Sequence, residues 1–99
     1  MEEFKNRTDI ATGNAVVDFT ATWCGPCRVL APVLEELAAE YPNIKFFKYD
    51  IDAQPPEFAS KLEVRSVPTV IVFKEGMPFE TIVGARTKAY YKTVLDAVL

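Results

Sequence analysis

Two cysteines three positions apart, Cys24 and Cys27, stand where a run of strand formers gives way to a helical pattern. The 99 residues contain no other cysteine and no histidine. The Cys-x-x-Cys spacing alone is ambiguous, because it suits half a metal site as well as a redox pair. The strand-to-helix setting is what narrows it. A structural zinc site wants four ligands, usually Cys or His, and two cysteines would supply them only across a symmetric dimer. A secreted fold held by disulfides would spread more cysteines along the chain.

The remaining pattern is that of an α/β chain. Ala15-Val-Val-Asp-Phe19 is a strand without alternation, which predicts cover on both faces. From Pro26 to about Tyr41, Val29, Leu30, Val33, Leu34, Leu37 and Ala38 recur at helical spacing. Pro32 lies inside this helix and should kink it. Ile44 to Ile51 reads as a second strand, and Gln54-Pro55-Pro56 opens a short helix to about Leu62. Thr69 to Lys74 is a third strand. Glu75-Gly76 forms a hairpin turn, with Phe79 to Val83 returning antiparallel. Thr87 caps a last helix to Leu99, with Tyr91, Val94, Leu95 and Val98 on one face. The order β-α-β-α-β-β-α predicts helices on both faces of a mixed sheet. Residues 1 to 14 are compatible with a short strand, a short helix or neither.

Composition serves mainly to exclude. A length of 99 residues suits one domain, and the 49% apolar and 25% charged residues are ordinary for a globular chain. A net charge of −3 with no basic stripe argues against nucleic acid as a partner. The N-terminus lacks the apolar core of a signal peptide, and no apolar run approaches the roughly 20 residues that span a bilayer. A cytoplasmic location is the resulting expectation.

The motif Trp23-Cys24-Gly25-Pro26-Cys27 makes specific chemical sense at a helix start. If Cys24 caps the helix, unpaired backbone donors and the positive dipole end face its sulfur. The thiol pKa then falls below the free value of about 8.5. A less basic thiolate is also a weaker nucleophile, so the net gain in attack rate is only about three-fold. The larger effect is to decide which sulfur attacks and which leaves. Cys27 lies one turn in and is expected to be the more enclosed. Pro26 fits the first turn, where a missing donor costs nothing. Closing so small a ring stabilises the fold by about 2 kcal/mol, against about 3 for a fifteen-residue loop, so the bridge suits cycling better than stapling. Asp18 is the candidate third participant. A carboxyl among Val16, Val17 and Phe19 has a raised pKa and can accept the Cys27 proton near neutrality, directly or through water. A solvent-facing position at a strand end is its other reading, and spacing does not separate the two.

These residues carry a resemblance. V-V-D-F-T-A-T-W-C-G-P-C-R, residues 16 to 28, is similar almost position by position to the active-site segment of the thioredoxin family. A-P-V-L-E-E-L-A (31 to 38), V-R-S-V-P-T-V (64 to 70), F-K-E-G (73 to 76) and V-G-A (83 to 85) resemble its kinked helix, its loop before the third strand, its hairpin and the loop beside the active site. The resemblance implies a thioredoxin fold in one domain over residues 1–99: a central mixed β-sheet of four or five strands flanked by helices. About 14 residues precede the Asp18 strand, so the N-terminal element should be shortened. Thr20 also stands where the family often has a bulky aromatic.

For activity, the resemblance implies reduction of protein disulfides, with Cys24 as nucleophile and Cys27 as resolving thiol. Asp18 would be the buried acid–base group, tuned by Lys48 on the neighbouring strand. Pro68 would be a cis-proline facing the disulfide, leaving the Val67 backbone free to pair with substrate backbone. Trp23, Gly25, Pro26, Val67, Gly84 and Ala85 would form the apolar docking surface. Partners would be disulfide-containing proteins and a thioredoxin reductase, and the chain would act as a monomer without metal, cofactor, nucleic acid or membrane. Disulfide-forming relatives usually place a histidine between the cysteines and glutaredoxins Pro-Tyr, whereas this chain has Gly-Pro. A redox-silent interaction domain using the same surface is the rival reading from another class.

Overall fold

The computed structural model describes residues 1–99, and its elements follow the chain as β1 (Glu2–Glu3), a 3₁₀ turn (Arg7–Ile10), β2 (Asn14–Thr20), α1 (Gly25–Glu40), β3 (Ile44–Asp50), α2 (Glu57–Lys61), β4 (Thr69–Lys74), β5 (Met77–Val83) and α3 (Lys88–Val98). The strands form one sheet in the order β1-β3-β2-β4-β5. β1 and β2 run parallel to β3, while β4 is antiparallel to both β2 and β5. This is the mixed sheet flanked by helices that the chain order predicts, with five strands.

The shortened N-terminus turns out to hold both a strand and a helical turn, each minimal. Glu2 and Glu3 pair with Phe47 and Lys48 at the sheet edge. Asn6 then caps the 3₁₀ turn, accepting the Thr8 amide, while Asp9 reaches back to the Asn6 amide. Two residues make too short a run for a period-two pattern to show, so the strand is set by its partner rather than by its own composition.

Alternation along the strands divides the core. On one face Val16, Phe46, Val70, Val72 and Ile82 pack with Leu30, Leu34 and Leu37 of α1 and Tyr91, Leu95 and Val98 of α3. On the other, Phe4, Ile10, Val17, Phe19, Phe47, Tyr49, Ile71 and Phe73 pack with the partly buried Phe58 of α2 and Leu62 just after it. Five buried residues in a row, Ala15 to Phe19, put β2 in the middle of the sheet, covered on both sides. α1 continues through Pro32, which removes one backbone donor from it without ending it.

Two boundaries differ from expectation by more than one residue. β5 begins at Met77 rather than Phe79, because Glu75 and Gly76 both take positive φ (51° and 80°) and pairing resumes directly at Lys74–Met77. α2 is shorter than its sequence span, starting only at Glu57 with Pro56 as its N-cap, because a residue that precedes a proline is disfavoured from the helical region and both Gln54 and Pro55 do so.

The N-terminal segment is tied in by aromatic packing. Phe4 is buried and stacks on Phe58 with ring centroids 4.7 Å apart, and it tilts against Tyr49 at 5.4 Å. Gln54 also donates to the Phe4 carbonyl at 2.8 Å. Replacing Phe4 by Ala should therefore cost about 3 kcal/mol in urea denaturation. A loss below about 1 kcal/mol would mean that this segment is not anchored through its ring.

Candidate active site

β2 delivers the chain to the sheet's upper edge at Thr20, and a tight turn carries it into α1. The Cys24 amide donates to the Ala21 carbonyl at 3.2 Å, and Arg28 clamps the Thr22 carbonyl through Nε and Nη2 at 3.3 and 3.0 Å. Cys24 is the N-cap of α1, with extended backbone, and Pro26 lies in the first turn. Its Sγ accepts the Cys27 amide at 3.2 Å. That bond answers one of the orphan donors of the helix end and directs the positive end of the dipole at sulfur.

The two cysteines form a disulfide, their Cα atoms 5.3 Å apart. Both are enclosed, at 5% and 3% exposed, so in the oxidised state Cys24 is barely the more open of the two. Around them Trp23, Gly25, Pro26 and Ala85 are exposed, Val67 and Gly84 half-buried and Pro68 buried. Cys24 Sγ lies 3.8 Å from the Val67 carbonyl oxygen, and the Val67–Pro68 peptide bond is cis. The Pro68 carbonyl in turn accepts the Gly84 amide at 2.8 Å. The three segments named from the sequence therefore meet: the Trp23–Cys27 turn, the Val67–Pro68 loop and the Gly84–Ala85 loop.

Trp23 is 65% exposed yet fixed, because its indole N–H donates to Asp52 at 2.8 Å. Asp52 was not among the sequence candidates; a lone acid after a strand carries no signal of its target 29 residues away. With Trp23, the residues Ile51, Ala59, Val64 and Val67 line a cavity.

Asp18 is 2% exposed and its Oδ1 has no hydrogen-bond partner. It shares the α1–α3 face of the sheet with Val16, below the helix that starts at the disulfide. Burial pushes its carboxyl up from 3.8 to about 7, against the attraction of Lys48. The solvent-facing reading of Asp18 is thus excluded. Lys48 is its in-register neighbour on β3, but the ammonium pairs with Glu3 of β1 at 3.4 Å, and no Asp18–Lys48 ion pair forms. Lys48 acts on Asp18 only through the field of its charge. Lys48 beside Asp18 is the neighbour the resemblance implied, whereas its pairing with Glu3 was invisible in sequence, since it depends on β1.

The family model described as "Thioredoxin" matches residues 1–97. The "Thioredoxin" of Staphylococcus aureus strain Mu50 is 50% identical over 88 residues, covering 88% of this chain and 84% of that protein. A chain solved in work on the thiol-resolving mechanism of yeast mitochondrial 1-Cys peroxiredoxin, via the glutathione and thioredoxin systems, superposes with a TM-score of 0.84. It is 34% identical, covering 97% of this chain and 94% of that one.

The Asp18 geometry has a thermodynamic consequence. Its folded pKa of about 7 lies above the unfolded value of 3.8, so between these pH values the folded state keeps a proton that the unfolded state has lost. Stability falls as pH rises through that window and the penalty is complete above it. Asp18→Asn, which cannot ionise, should change the stability difference from wild type by on the order of 4 kcal/mol between pH 4 and pH 8, in the variant's favour at the higher pH. Urea denaturation at the two pH values measures it. A difference independent of pH would show that Asp18 titrates normally.

Proposed function

Because the chain belongs to the thioredoxin family, we propose that it reduces protein disulfides, with Cys24 as the attacking thiolate and Cys27 as the resolving thiol. It is a thiol–disulfide oxidoreductase with a Cys24–Cys27 disulfide site. The observation that carries the finer assignment is the Cys24 sulfur at the helix N-cap, accepting the Cys27 amide. A donor that stabilises sulfur in the disulfide stabilises a thiolate more, because the acceptor then carries full charge.

In the reduced protein the Cys24 thiolate attacks one sulfur of a substrate disulfide. The substrate S–S bond breaks, its second sulfur leaves as a thiol after taking a proton, and a Cys24–substrate disulfide forms. Cys27 loses its proton to Asp18 and attacks Cys24 Sγ. This releases the remaining substrate thiol and forms the Cys24–Cys27 bond. Two electrons and two protons pass to the substrate, and a thioredoxin reductase restores the dithiol. A group titrating near 7 is matched to the resolving step, since it accepts a proton at neutral pH and gives it up again.

Substrate binding is assigned to the surface of Trp23, Gly25, Pro26, Val67, Pro68, Gly84 and Ala85. The Val67 carbonyl beside Cys24 gives an extended substrate chain a backbone partner. Docking supplies what the small gain in thiolate reactivity does not. The setting is a reducing cytoplasm, with the chain acting as a monomer on protein substrates rather than nucleic acid. A net charge of −3 supports this reading, and no helix is long and apolar enough to cross a membrane.

Insulin reduction driven by dithiothreitol tests the assignment. Cys24→Ser and Cys27→Ser should each abolish turnover, and only Cys27→Ser should accumulate a mixed disulfide with substrate. A trapped species with Cys24→Ser instead would reverse the roles. The Cys24–Cys27 couple should also equilibrate below the glutathione poise of roughly −220 to −260 mV. A potential at or above it would overturn the reducing direction.

A further inference from the structure

Tyr91 fits the apolar periodicity of α3, and any large apolar side chain would satisfy that pattern as well. Its ring is 2% exposed, within the core between α1, α3 and the sheet. Its hydroxyl does something the core does not require. It accepts the Arg86 amide at 3.2 Å and donates to the Gly84 carbonyl at 3.4 Å. Burial, with a smaller contribution from the charge of Asp18, raises the phenol pKa, so the hydroxyl remains a donor across the neutral range.

The segment it holds has no regular hydrogen bonding of its own. Gly84 takes φ +84°, and a Cβ built there would meet nothing within 4 Å, so its outer side is open. From the side, the Gly84 amide is fixed to the Pro68 carbonyl at 2.8 Å. From beneath, the same residue's carbonyl and the Arg86 amide are fixed to one phenol oxygen. Pro68 follows Val67, whose carbonyl oxygen is 3.8 Å from Cys24 Sγ. A continuous set of short contacts therefore runs from α3 through the 84–86 loop to the disulfide.

We propose that Tyr91 is a positioning residue, whose hydroxyl holds the Gly84–Arg86 backbone where a substrate chain docks beside Cys24. The inference rests on the reading of Val67, Gly84 and Ala85 as the substrate groove. Without the hydroxyl, the Arg86 amide and Gly84 carbonyl lose their partner while the ring still fills its place in the core. The loop then samples positions that dock poorly, and a protein substrate has to order it again on binding. A small disulfide, which needs no backbone partner, is indifferent.

Tyr91→Phe separates these effects, because it deletes one oxygen and leaves the packing. Tyr41→Phe is the matched control: it removes a phenol oxygen bonded at 2.7 Å to Asp96, at the far end of α1. Loss of hydrogen bonds at this level corresponds to a change of roughly five-fold. Tyr91→Phe should raise KM for insulin by about that factor with kcat little changed. It should also speed exchange of the Arg86 amide, read by NMR, and leave the rate with 2-hydroxyethyl disulfide within about two-fold. Tyr41→Phe should alter none of the three. An active wild type whose Arg86 exchange or insulin KM is unmoved by Tyr91→Phe overturns this inference alone. Equal losses on insulin and the small disulfide also overturn it, by assigning Tyr91 to general stability. A wild type that reduces no disulfide overturns the functional reading and this inference together.

Discussion

The bond from the Cys27 amide to Cys24 Sγ, 3.2 Å long, is where fold and chemistry meet. It exists because β2 ends at Thr20 and α1 begins five residues later, leaving a helix start whose first amides have no partner within the helix. In the proposed mechanism the backbone itself stabilises the Cys24 sulfur as an anion, in a chain that has no histidine. β2 has to be the central strand for this to work. Its cover on both faces holds the turn still while α1 is pinned by Leu30, Leu34 and Leu37.

The same central strand carries the least favourable residue in the core. A carboxyl with an unpartnered oxygen inside an apolar face costs stability whenever it ionises, and its most direct compensation, an ion pair with Lys48, is not made. Glu3 draws the ammonium toward the edge instead. A carboxyl titrating near 7 on the strand that leads into the disulfide turn is the group to which the proposed mechanism gives the Cys27 proton. The short β1 thereby gains a purpose beyond closing the sheet edge, since it sets which carboxylate Lys48 pairs with.

Much of the architecture was legible because the signals were local and strong. Alternating and unbroken apolar runs marked β2, β3 and β4, helical spacing marked α1, and Thr87 announced α3, where its side chain accepts the Tyr90 amide. Glu2–Glu3 was not legible as a strand, since two charged residues have no pattern apart from the partner they pair with. The start of β5 was misplaced by two residues, because the positive φ of Glu75 is an individual choice that composition does not announce. Among site residues, Cys24 and Cys27 were plain from spacing and context. Asp52 and the hydroxyl of Tyr91 were hidden, one as a surface acid and the other within an apolar stripe.

Chain order and residue type were sufficient to specify the α/β layout, the helix-capping cysteine and a carboxyl set among apolar neighbours. All of these depend on residues close together in sequence, where periodicity, capping and propensity act. Tertiary packing was needed to show that Asp18 is buried with one oxygen unpaired, that Lys48 answers Glu3, and that Trp23 is fixed by Asp52. It was needed equally to bring Val67 against Cys24 and Gly84 onto the Pro68 carbonyl. Those relations join residues dozens of positions apart. Sheet register and loop closure set them, and neither leaves a mark within the short windows where a sequence can be read.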